Sequence, residues 1–123
     1  MNERYDRGRA LLERLGDPAA IEAAFEGVAP DLARYVIEFA FGDVYARPGL
    51  DAGRRQLVTI GVLTALGGVE AALEFHIAAA LKVGVTREEV VEAITHCVPY
   101  AGFPKVVAAM RIARKALAQA QQA

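Results

Sequence analysis

Cysteine is nearly missing from this chain, and the shortage excludes whole classes of chemistry. Cys97 is the only one in 123 residues, so no disulfide can close within the chain and no CxxC redox or zinc pair can form. A reducing cytoplasm is the expected setting. A charge excess is lacking too: 14 basic against 15 acidic side chains leave a formal net charge of -1. That balance offers no basic field to nucleic acid and no polybasic patch to a membrane surface. Long apolar runs are also absent. The longest near-apolar stretch, Leu57 to Leu66, is too short for a bilayer, and the N-terminal MNERYDRGRALLERLG is charged where a signal peptide needs an apolar stretch. A soluble, unexported protein is predicted.

Aromatic residues are scarce, at 7%, although hydrophobic residues make up 54% of the chain. The apolar content is therefore mostly Ala, Val, Leu and Ile, which suits closely packed helices. The length allows one compact core, so a single helical domain over 1–123 is expected. Its interior is too small for all this apolar surface, and a homo-oligomer is predicted to bury the remainder between subunits.

Apolar positions recur at three- and four-residue spacings without sustained alternation, so the fold class is all-α, with about six helices. The first runs from Glu3 to Leu15 and ends at Gly16; Asp17 and Pro18 open a short second one. Pro30 and Asp31 open a third, which carries Leu32, Tyr35, Val36, Phe39 and Ala40 on one face and fades at Phe41-Gly42. GDVYARPGL, from Gly42 to Leu50, reads as a loop, and Asp51 is placed to cap the next helix. That helix, with QLVTIGVLTAL from Gln56 to Leu66, is apolar on nearly every side, which predicts burial within the domain or between subunits. A helix from Val69 to Lys82 brings Leu73, His76, Ile77, Ala80 and Leu81 to a common side before Gly84 ends it. Thr86 and Glu89 form a capping box for a helix from Arg87 to about Tyr100. Gly102 and Pro104 break the chain, and Lys105 to about Ala120 forms the last helix, ending in an AQQA tail expected to fray.

Two histidines offer the chemistry. His76 lies among alanines and leucines, where an imidazole either moves a proton or is a core group bonded to a carbonyl. Glu70 and Glu74 lie four apart on the same helix, as an acid-base pair or as solvated charge. Glu92, His96 and Tyr100 are also spaced by four and make a polar stripe able to line a pocket or to cap a helix end. Cys97 points about 100° away from His96 and reads as a small core residue. Arg47, Arg54 and Arg55 flank the start of the apolar helix and suit bidentate carboxylate binding, or surface pairing with Asp43 or Asp51. No HxxxH, HExxH or cysteine cluster is present, so no metal is predicted, and no glycine pattern supports a nucleotide site.

Three segments carry a family resemblance. They are FGDVYARPGL, the His-x-x-x-Ala-Leu-x-x-Gly-Val-Thr-x-Glu-Glu run from His76, and Tyr-Ala-Gly-x-Pro from Tyr100 to Pro104. The chain resembles the carboxymuconolactone decarboxylase family over roughly residues 41–117. Redox relatives in that family carry CxxC ahead of the matching histidine, but Val69 and Ala72 stand at those positions here, which excludes thiol peroxidase chemistry. The resemblance implies an all-helical, cofactor-free homo-oligomer, commonly a ring of six and otherwise a trimer, acting on the small anionic lactone 4-carboxymuconolactone in protocatechuate catabolism. It further implies His76 and His96 as catalytic groups with Tyr100 as a donor, and Arg47, Arg54, Glu70 and Glu74 at the substrate. A related enzyme with another substrate and a noncatalytic ligand-binding oligomer are the competing readings.

Overall fold

The computed structural model describes residues 2–122. Among them are eight α-helices, one π-helical segment and no strands, so the chain is all-helical as predicted. The helices fall into two compact units, residues 1–50 and 51–123.

The first unit holds α1 (Glu3–Leu15), α2 (Pro18–Phe25), α3 (Pro30–Tyr35) and the π-helical segment Val36–Tyr45. Local chemistry starts its first two helices. The Asn2 side chain accepts a bond from the Tyr5 amide, and the Asp17 side chain accepts one from Ala19, ahead of Pro18. Packing then takes over. A Cβ on Gly8 would collide with the carbonyl of Ile37, and one on Gly42 with the carbonyl of Arg4, so two glycines let α1 and the π-helical segment touch backbone to backbone. Around that contact Arg7 Nε donates to the Gly42 carbonyl at 2.7 Å, and Arg4 pairs with Asp43 at 2.7 Å.

Two expectations are corrected here. The third helical run does not fade at Gly42 but continues as wide π turns to Tyr45, because Gly42 provides room for α1 rather than a turn. The apolar face of that run is also not the one packed inward in the chain. Leu32, Tyr35 and Phe39 are exposed, whereas Ala33, Ile37 and Phe41 are buried.

The second unit holds α4 (Ala52–Leu66), α5 (Glu70–Lys82), α6 (Arg87–Thr95), α7 (Val98–Ala101) and α8 (Phe103–Gln122). Ile60 from α4, Ile77 from α5, Val90 and Ile94 from α6, and Ala113 and Leu117 from α8 meet in one core. Asp51 caps α4, and Thr86 and Glu89 cap α6 reciprocally, at 2.8 and 3.1 Å. α6 stops five residues earlier than predicted. Pro99 has no N–H to give, and its ring would strike the carbonyl of Thr95, so the chain turns at His96 and restarts as α7. Pro104 likewise lies in the first turn of α8, which begins at Phe103 and continues through Gln122. The tail expected to fray is helical up to that residue; Ala123 lies outside the described residues.

Of the two burials predicted for α4, the one within the domain covers only part of the helix. It buries a narrow stripe of Gln56, Ile60 and Thr64, but leaves Val58, Val62 and Leu66 exposed. Among the described residues no helix is long and apolar enough to cross a membrane.

Candidate active site

His76 sits two turns into α5, beside the fully buried Ile77 and near Leu73. Its ring meets Phe75 edge-on at 5.1 Å, and its Nδ1 lies 2.8 Å from Oε1 of Gln56 on α4. An amide oxygen only accepts, so this contact puts the ring hydrogen on Nδ1. Burial disfavours the imidazolium and pushes the His76 pKa down from 6.5 to about 4, so the ring is neutral at pH 7. Gln56 has 0% exposure, and its Nε2 has no partner among the described residues.

Sequence reasoning treated Gln56 only as the start of an apolar run. Gln56, Ile60 and Thr64 are spaced by four and share one stripe, but only the fold shows that this is the stripe the helix buries. Thr64 satisfies its hydroxyl on the Ile60 carbonyl at 2.8 Å, whereas Gln56 reaches across to another helix.

His96 has a different environment. It caps α6, exposed, with its ring 5.8 Å from that of Tyr100. Both line an open, mostly apolar groove of about 890 Å³, together with Val58, Val62, Glu92 and Cys97. His76 is not among its lining residues. The Cys97 thiol approaches the carbonyls of Ala93 at 3.4 Å and Gly61 at 3.6 Å, and burial pushes its pKa up, which is the behaviour of a packed thiol rather than a nucleophile.

The remaining charged candidates are dispersed. Arg54 pairs with Asp51 at 2.6 Å on the surface, the bland alternative for that residue. Glu74 faces Lys115 at 3.5 Å. Glu70, exposed at the start of α5, borders a small cavity with Lys105, whose Nζ donates to the Leu66 carbonyl at 2.8 Å. Arg47 is exposed in the turn after the π-helical segment, in the first unit. Among the described residues no three His, Cys, Asp or Glu side chains gather as a metal-binding set.

Two relatives have an activity in their names. A 4-carboxymuconolactone decarboxylase of Acinetobacter baylyi is 46% identical over 85 residues, which is 69% of this chain and 63% of that protein. A nitrosuccinic acid decarboxylase of Metarhizium robertsii is 38% identical over 84 residues, 67% of this chain and 57% of that protein. The chain thus spans less than two thirds of the length of either. The model of the carboxymuconolactone decarboxylase family matches residues 30–115, eleven residues before the expected start of the resemblance and through every helix from α4 to most of α8. On that match, the chain belongs to the carboxymuconolactone decarboxylase family.

Proposed function

We propose that this protein is a cofactor-independent decarboxylase of a small carboxylated lactone, with 4-carboxymuconolactone as the first substrate to test. The observation that carries the reading is a neutral, partly buried histidine held by a buried amide, in a chain of this family with Val69 and Ala72 in place of redox cysteines.

Loss of CO2 breaks a carbon–carbon bond and leaves its electron pair conjugated with the lactone carbonyl, as a dienolate. One proton from solvent must then reach carbon. Neutral His76 is suited to carry it, because a doubly anionic substrate beside the ring favours the imidazolium that burial alone disfavours. Nε2 takes the proton as the substrate binds and gives it to the dienolate after CO2 departs, which restores the neutral ring. In one chain His96 and Tyr100 line a groove that does not include His76. Their role as donors to the developing oxyanion, worth about 2.7–4 kcal/mol each where the geometry is good, therefore requires the His96 groove of a neighbouring subunit. Arg54 holds the carboxylate that stays, which takes the place of Asp51 on its guanidinium. A homo-oligomer closes the open groove at His96 with a neighbouring subunit.

The second relative favours a broader substrate range. Nitrosuccinic acid also decarboxylates to an anion that spreads onto oxygen, here of a nitro group, so the same proton carrier would serve. The test is an ultraviolet assay of the purified protein with each acid, reading CO2 release. Turnover of the lactone, lost by about 10²- to 10⁴-fold in His76→Ala, is the expected result. Turnover of the nitro acid alone replaces the substrate, and no turnover of either by the folded protein overturns the reading.

A further inference from the structure

Gln56 is an expensive residue for its place in the fold. It is completely buried, its amide nitrogen is unpartnered among the described residues, and the next residues on its stripe are Ile60 at 0% and Thr64 at 1% exposure. A methionine or leucine of similar volume would pack there without an unpartnered amide nitrogen, at the cost of the acceptor that faces His76. The one thing the glutamine supplies that they cannot is the oxygen 2.8 Å from His76 Nδ1.

We infer that Gln56 is the positioning residue of the site: its amide oxygen holds His76 in the Nδ1–H form and leaves Nε2 as the nitrogen that gains and gives the proton. The inference deepens the decarboxylase reading and rests on it for the identity of the reaction. An amide suits this task better than a carboxylate, because it does not titrate. Nδ1–H donates to the same oxygen whether Nε2 is empty or protonated, so the ring completes a proton cycle without rotating. A glutamate would instead favour the cation throughout the cycle. Rigidity comes from the flanks. Ile60 lies one turn along α4 from Gln56, and Ile77 and Leu73 flank His76 on α5, all inside the core. Both partners therefore sit on packed helices rather than on loops.

The experiment reads the tautomer directly and does not depend on turnover. Nitrogen-15 spectra of the full chain near pH 7 contain two imidazoles, His76 and His96, which a His96→Gln variant assigns. The expected result is a hydrogen on Nδ1 and a bare Nε2 for His76. In Gln56→Met, which keeps the volume, that preference is lost and kcat falls by about 10- to 100-fold with KM little changed. In Gln56→Glu the oxygen is retained, and the titration midpoint of His76 moves up from its wild-type value. A wild-type His76 with its hydrogen on Nε2 would place the amide nitrogen against the ring and overturn the assignment. So would a Gln56→Met protein whose tautomer and kcat match wild type. If Gln56→Met does not fold, the wild-type and Gln56→Glu spectra still decide. An expected set of spectra from a protein inactive on both acids would instead overturn the decarboxylase reading and leave the role of Gln56 standing.

Discussion

His76 stays neutral because burial makes its cation costly, and that same cost couples the fold to pH. The unfolded chain takes a proton near pH 6.5, but the folded one only near 4. Between those values the unfolded state binds more protons, so stability rises with pH across the window and the penalty is absent above it. At pH 4.5 the loss relative to pH 7 amounts to about 2–3 kcal/mol from this residue. Urea denaturation of wild type and His76→Leu at the two pH values isolates it: the variant lacks this component, and equal pH dependence in both proteins would refute it. Glycines give a second prediction at this scale. Gly8→Ala drives a methyl into the Ile37 carbonyl and costs roughly 3 kcal/mol, while Gly49→Ala, with open space around its Cβ, changes stability by less than about 0.5 kcal/mol. Thermal melts of the two variants supply the comparison. His76 was legible in the sequence as a histidine among alanines and leucines. Gln56 was not, because a periodicity that is apolar nearly all round does not say which stripe faces inward.

Elements started by short-range chemistry were read well. Asp51 and Thr86 cap as their spacing predicts, since a cap needs only a side chain and an amide two or three residues away. Thr86→Ala removes one bond of the reciprocal pair and costs about 1 kcal/mol, read as a lower midpoint with unchanged denaturant slope. A variant as stable as wild type would mean that α6 is held by its core residues Val90 and Ile94 alone. Elements settled by long-range contact were read poorly. The π-helical segment answers to Gly8 and Arg4, roughly thirty to forty residues away, and no local pattern contains that information. Pro99 belongs to a third kind. Its rule was available in the sequence, but the predicted helix runs through it to about Tyr100. The break carries Tyr100 onto a separate short helix, yet leaves its ring 5.8 Å from His96.

At the scale of the whole molecule, the expected tension between much apolar surface and little interior reappears as specific residues. Val58 and Val62 are 57% and 51% exposed and Tyr100 81%, and all three border the groove that contains His96. A protein with a net charge of -1 has little electrostatic repulsion to keep copies apart, so such a face is a liability in isolation and an asset at a subunit contact. This is the surface on which the proposed homo-oligomer depends. Val62→Glu puts a charge in the middle of that face without touching the core of Ile60, Ile77 and Ile94. The expected outcome is a fall in mass by light scattering to a smaller species with an unchanged helical circular dichroism spectrum, accompanied by loss of activity if the neighbouring subunit closes the groove over His96. Dissociation with full activity would separate assembly from catalysis and confine the chemistry to one chain. A wild type that is already monomeric, or a variant that keeps its full mass, would move the subunit contact away from this face and leave its exposed valines unexplained.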